Sequence, residues 1–144
     1  VNTLAAHHLF GGPCIVVDFG TSTNLDVVSD TGEFLGGALA SGIEISLDAL
    51  AERAAQLRKV ELVAPRSVIG KNTVEALQSV VIYGFAGQVD GLVERIIEET
   101  GPVTAVVATG RLRQVVVSES RTITHHEPDL TLLGLALLFK KNQV

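Results

Sequence analysis

The residues Val17-Asp18-Phe19-Gly20-Thr21-Ser22-Thr23 end an apolar run in a carboxylate, then follow it with a glycine and three hydroxyls. A carboxylate at the end of a buried strand is costly unless it is paired, hydrated or bound to a cation. Gly20 permits close backbone approach, and N–H and hydroxyl groups in a tight turn can form an anion-binding concavity. Carboxylate and phosphate-sized nest together are what a nucleotide site needs, because carboxylate and cation manage the phosphate charge. The same residues also suit an ordinary hairpin whose Asp and Thr side chains cap the turn. Taken alone, the turn leaves both readings open.

Two further stretches carry weaker signals. Ile69-Gly70-Lys71-Asn72-Thr73-Val74-Glu75 resembles a helix start, with Asn72 or Thr73 as cap and exposed N–H groups that attract anions. It is not a Walker A loop, since the earlier glycine is absent and Asn72 separates Lys71 from Thr73. Val106-Val107-Ala108-Thr109-Gly110 reads as a strand ending in Thr-Gly, and ligands of α/β sheets bind near strand carboxyl ends. The histidines come as the adjacent pairs His7-His8 and His125-His126, which point apart on a helix, whereas zinc-binding histidines sit at i and i+4. Cys14 has no CxxC partner and no G-x-S-x-G elbow occurs, so neither a zinc site nor hydrolase chemistry is supported.

The elements that would position these residues follow from pattern. The chain has 144 residues, 47% hydrophobic and 19% charged, enough apolar material for the core of one domain spanning 1–144. The net charge is −5 with no basic run, which argues against nucleic acid. No stretch reaches the roughly 18 apolar residues of a membrane span. The single cysteine, Cys14, reads as a small buried hydrophobe in a reducing, cytoplasmic setting. The sequence starts at Val1 and contains no methionine, so a processed, trimmed or edited chain with sequence missing upstream is expected.

Asn2 to Phe10 is expected as a short helix. Cys14–Phe19, Thr23–Val28 and Glu33–Ala40 are expected as three antiparallel strands, the first buried on both faces and the third bulged or closely approached at Gly36-Gly37. Ile43, Leu47, Leu50, Ala54 and Leu57 step by four and three, one face of a helix. Val60–Val63 reads as a short strand or extended piece. Asn72 to Glu98 is helical, with stripes Val74/Leu77/Val81 and Val89/Leu92/Ile96. Gly84, Gly87 and Gly91 fall among them, predicting two helices or one kinked helix in close packing. Val103–Ala108 reads as a strand, Thr122–Thr124 as another, and Leu130–Phe139 as a closing helix with Lys140-Lys141 at its end. The order gives an α/β domain, a mixed sheet with packed helices.

Taken together, "VNTLAAHHLFGGP", "VVDFGTST", "GEFLGG", "VIGKNTVEALQS", "YGFAGQVDGLVERI", "VVATG" and "HEPDLTLLGL" resemble, in order and along the whole chain, the C-terminal half of type III pantothenate kinases of the actinobacterial kind. The resemblance implies a ribonuclease-H-like domain of the acetate and sugar kinase, heat-shock chaperone and actin superfamily. It implies transfer of the γ-phosphate of ATP to pantothenate, the first step of coenzyme A synthesis, with Mg²⁺ and a monovalent cation (K⁺ or NH₄⁺), in a homodimer. Residue by residue, Asp18 matches the monovalent-cation ligand, Gly20 and Thr21 the ATP-phosphate turn, Thr73 the substrate contact, and Gly110 the start of a glycine pair near the nucleotide. Two family segments have no match: the first phosphate motif, Asp-x-Gly-Asn-Thr, and the Gly-x-Asp-Arg that carries the proposed catalytic base. No catalytic residue is therefore assigned within these 144 residues. Ser41, Val80 and Arg111 stand where the family usually has Pro, Gly and a second Gly. The expectation is a kinase half that is inactive in isolation. The alternatives are a truncated or engineered half-domain that self-associates, and a nucleotide-binding regulatory module.

Overall fold

Cys14–Phe19 form β1, the central strand of the sheet, and it is buried on both faces as its unbroken apolar run requires. The computed structural model describes residues 1–53, 60–111 and 114–143. β2 (Ser22–Val28) and β3 (Phe34–Ser41) continue from β1 as an antiparallel meander. β4 (Ala105–Gly110) pairs with β1 in parallel on its other side, and the two-residue β5 (His125–His126) pairs with β4. The sheet order is β3-β2-β1-β4-β5, mixed as expected.

The close approach expected at Gly36-Gly37 is present at Gly37, while a Cβ on Gly36 would meet nothing within 4 Å. The β2–β3 register slips between Val27 and Val28, and a Cβ on Gly37 would stand 1.9 Å from the Leu25 carbonyl oxygen of the neighbouring strand. A side chain there would push the two strands apart.

The two sheet faces carry separate cores. α1 (Asn2–Phe10) and α6 (Leu130–Asn142) cover one face, packing Ala5, Ala6 and Leu130 on Cys14, Val16, Val28, Ala105 and Val107. The other face is covered by α2 (Ile43–Arg53), α4 (Phe85–Thr100), α5 (Gln114–Glu119) and the turn Val80–Gly84, into which α3 (Thr73–Ser79) leads. There Ile15, Val17 and Leu25 meet Ile43, Val81, Ile82, Val89, Val93 and Val116. Each such aliphatic side chain, fully buried, contributes about 1.5–3 kcal/mol.

The expected kink between the two helical stripes is a π-helical turn, Val80–Gly84, joining α3 to α4. The close packing expected of the three glycines fails at Gly87 and Gly91, where an added Cβ would meet nothing within 4 Å. Other differences are local. Residues 60–65 form no strand. Leu62 packs on the core, while the Glu61 carbonyl accepts from Gln78 Nε2 and the Val63 N–H instead of from a strand. The strand expected at Thr122–Thr124 lies at His125–His126, and α5 was not anticipated. Of the α2 stripe, Ala54 and Leu57 fall outside the described residues. Among the described residues no helix is long and apolar enough to cross a membrane.

Candidate functional site

The carboxyl ends of β1 and β4 lie side by side. Their register sets Asp18 beside Thr109 and Phe19 beside Gly110. The Arg111 N–H donates to the Phe19 carbonyl at 2.6 Å and locks the two strand ends together. Gly110 has φ +93°, and a Cβ on it would stand 2.4 Å from the Phe19 oxygen and 2.5 Å from Asp18 Oδ1. Both the backbone conformation and the space admit glycine alone at this position.

The β1–β2 turn is closed by its own backbone. Gly20 N–H donates to the Ser22 carbonyl at 3.0 Å, and Gly42 N–H, at the start of α2, donates to the Thr21 carbonyl at 3.0 Å. Gly20 and Thr21 are exposed at the tip. They border a cleft of about 190 Å³ whose other walls are Ile43, Glu44 and Asp48 of α2 and Arg111 beyond β4. Small-molecule sites usually enclose about 300–1,000 Å³. The cleft therefore has room for part of a nucleotide, on the scale of its phosphates. Arg111 contributes a cation there, a group suited to phosphate recognition.

Asp18 sits at the same strand end but on the other sheet face, toward α1 and α6. Its Oδ2 accepts from Asn2 Nδ2 at 3.1 Å. Burial, and then the charge of Asp26 on β2, push its carboxyl above the ordinary value, while the Asn2 bond partly offsets them. A carboxylate held with a second one nearby and a single neutral donor is short of positive charge. Oxygen donors of this kind suit a hard cation. Among the described residues no set of three or more His, Cys, Asp or Glu side chains converges as a metal site.

Thr73 stands apart. It opens α3, is exposed, and does not line the cleft beside Thr21. Of the two expected caps of this helix, Asn72 serves: its Oδ1 accepts from the Glu75 N–H at 2.9 Å. Glu75 in turn accepts from the Lys71 N–H and from the Arg66 guanidinium, and both hold its carboxyl below the ordinary value. Two of the four histidines make local contacts. His7 Nε2 contacts the Asp30 carbonyl oxygen at 2.8 Å, and the His125 ring lies 4.4 Å from that of Phe10. Cys14 is buried, and burial pushes its thiol up to about 11.

Sequence reasoning missed two contributors here. Asn2 and Asp26 reach Asp18 only through tertiary contacts, although a charged residue inside an apolar strand, as at Asp26, was a usable signal.

Comparison with known proteins bears on this geometry. A family profile described as type III pantothenate kinase matches residues 1–95. The chain is 72% identical to a type III pantothenate kinase of Frankia alni over 99% of its own length and 57% of the relative's. It is 69% identical to one from Saccharopolyspora erythraea, covering 55% of that protein, and 60% identical to one from Rhodococcus jostii, covering 54%. The chain thus spans a little over half the length of the curated relatives it matches. Among solved structures, one from Campylobacter jejuni, described as a Baf family transcriptional activator, aligns with a TM-score of 0.64 at 19% identity, over 96% of this chain and 62% of that one. The ethanolamine utilization protein EutJ from Carboxydothermus hydrogenoformans aligns with a TM-score of 0.57 at 20% identity, over 94% of this chain and 53% of that one. These likenesses speak to fold alone, a mixed α/β sheet with helices packed on both faces, as expected.

Proposed function

This chain belongs to the type III pantothenate kinase family, and we propose that it supplies the C-terminal half of an ATP:pantothenate phosphotransferase, the half that holds one side of ATP. The observation that carries the proposal is the strand-end cleft, bordered by Gly20, Thr21 and Arg111 and sealed by Gly110 against Phe19. In this reading the 144 residues are a single domain.

Gly20 and Thr21 face the phosphates, and the Thr21 hydroxyl orients one phosphate oxygen for in-line transfer. Gly110 keeps the floor beside them free of side chains. Arg111 stabilises charge that spreads over the phosphoryl oxygens. Asp18 holds a monovalent cation, K⁺ or NH₄⁺, whose charge screens the phosphates. ATP supplies the phosphoryl group, with Mg²⁺ carried mainly on its phosphates, as that ion's reluctance to shed water favours. Thr73 contacts pantothenate across the assembled site.

No Asp-x-Gly-Asn-Thr motif and no Gly-x-Asp-Arg segment occurs in these residues. General acid–base help is worth about 10²–10⁴-fold, so the isolated chain is expected to turn over at background level. The test follows ADP formation with ATP, pantothenate, Mg²⁺ and potassium, alongside thermal unfolding with and without ATP. Expected are no ADP above background and a raised Tm in ATP. Turnover that depends on Asp18 would refute the silence of this half, and an unchanged Tm in saturating ATP would refute the binding role.

Association with a second copy is supported by α6. Its outer face exposes Leu132, Leu135 and Phe139, spaced three and four apart, as one apolar stripe. A homodimer predicts a light-scattering mass near twice 15.2 kDa, and a concentration-independent monomer mass would exclude it for this chain.

A further inference from the structure

The first turn of α1 and the first turn of α6 come from opposite ends of the sequence and are pressed together. Gly134 of α6 is buried, and a Cβ on it would stand 2.4 Å from the Val1 carbonyl oxygen. Only glycine lets the start of α1 settle this deeply on α6. The approach brings Thr131 to Asn2, 129 residues away in sequence, and Thr131 Oγ1 donates to Asn2 Oδ1 at 2.7 Å. The other end of the same amide donates to Asp18 Oδ2.

The two bonds fix the amide. Flipping it would turn Oδ1 onto a carboxylate, oxygen against oxygen. Asn2 is the one side-chain donor to Asp18 among the described residues. It leaves Asp18 Oδ1 turned toward Gly110, at the nucleotide end of β1. The chemistry of the donor matters. A Lys or Arg at this place would neutralise the carboxylate and compete with any cation for it. A neutral amide orients the carboxylate and preserves its charge. The site is open to solvent on this side, where a cavity of about 510 Å³ is bordered by Asn2, Asp18, Asp26 and Thr131. A small hydrated ion has access.

We propose that Asn2, held in place by Thr131, is a positioning residue for Asp18, fixing one carboxylate oxygen so that the other is presented to a monovalent cation. The inference rests on the reading of Asp18 as the cation ligand. It adds a requirement that cation affinity depends on the contact between α1 and α6.

The test titrates K⁺ into this chain against choline at constant ionic strength, reading the unfolding midpoint and the ¹H–¹⁵N spectrum. Asp18→Asn should erase the K⁺ response. Asn2→Ala should weaken K⁺ about tenfold, the scale of a hydrogen bond to a charged group. Thr131→Val should weaken it less, and Thr131→Ser, which keeps the hydroxyl, should restore it. The Asn2 side-chain amide resonance should move when K⁺ is added to the wild-type chain, and should lie elsewhere in Asp18→Asn. Wild-type K⁺ affinity in both Asn2→Ala and Thr131→Val overturns the positioning role and leaves Asp18 as ligand. An equal K⁺ response in wild type and Asp18→Asn removes Asp18 as ligand, and the proposal falls with it. An Asn2 resonance indifferent to Asp18→Asn overturns the contact itself, whichever way the cation data fall.

Discussion

Asp18 and Asp90 are both carboxylates set into the fold, and their surroundings move them in opposite directions. Burial and the nearby charge of Asp26 raise Asp18. Burial also works to raise Asp90, but the donors around it prevail and hold it below the ordinary value. It accepts from the Ser120 and Thr122 hydroxyls, both at 2.6 Å, from the Arg121 N–H at 2.8 Å and from the Thr122 N–H at 3.2 Å. These bonds tie α4 to the segment that leads into β5. Asp90→Ala leaves those donors without their acceptor and is expected to cost about 3 kcal/mol in urea unfolding at pH 7. Asp90's folded value is depressed, so its contribution is present above the ordinary carboxylate range. It is lost as pH falls through the lower folded value. The stability gap between wild type and Asp90→Ala should therefore narrow below about pH 4. The sign reverses at Asp18. Its folded value is raised, so its favourable contribution is complete below the ordinary range and is lost as pH rises through the raised value. Asp18→Asn is expected to raise Tm at pH 7 in potassium-free buffer, with the gain gone near pH 3. A lower Tm for that variant at pH 7 would contradict the account of its surroundings. Arg111→Ala should reduce the Tm increment given by ATP while leaving the Tm without ATP nearly unchanged, since the Arg111 tie to Phe19 is made by backbone.

The elements differ in how far local pattern decides them. The β1–β2–β3 meander was legible because each strand is bounded by turn residues and the connections are short. Gly37 announced its crowding because a glycine inside a strand leaves a gap that a neighbouring backbone can fill, here that of Leu25. Gly37→Ala is accordingly expected to cost about 2–3 kcal/mol, the scale of overpacking a tight site, and to speed hydrogen exchange along β3. Exchange that stays slow there would mean the sheet can absorb a methyl group. The segment Val60–Val63 reads as a strand because it is short and apolar, but Leu62 packs on the core and the Glu61 carbonyl pairs with the Gln78 side chain instead of a strand. α5, Gln114–Glu119, escaped notice because its three successive valines favour a strand by propensity. β5 is two residues long, too short for any period to register. Of the residues that two motifs single out, Gly20 and Thr21 border the strand-end cleft, while Asp18 and Gly110 stand at the same strand ends outside its lining. Thr73 was named with them, yet the fold keeps it outside that cleft. Asn2, Thr131 and the Asp90 latch were invisible for one common reason: each partner lies at least 16 residues away in sequence.

At the scale of the whole molecule, the sheet is asymmetric in the way its strands are joined. β1, β2 and β3 follow one another directly. β1 and β4 are neighbours whose link runs through β2, β3 and, among the described residues, α2, α3, the π-helical turn and α4, and Thr104 Oγ1 meets the Pro13 carbonyl across 91 residues. Closing a loop of that length costs entropy before any contact returns it, and non-local pairing slows folding. The meander is therefore expected to gain protection first in pulse-labelling hydrogen exchange, with the amides of β4 protected later; simultaneous protection would rule this order out. The turn at Gly20 can form with the meander, but its opposite wall, Gly110 and Arg111, arrives only with β4. A growing chain would thus carry half of its phosphate cleft well before the remainder is synthesised. Ligand recognition would come last, as a report that the most distant pairing in the sheet has closed.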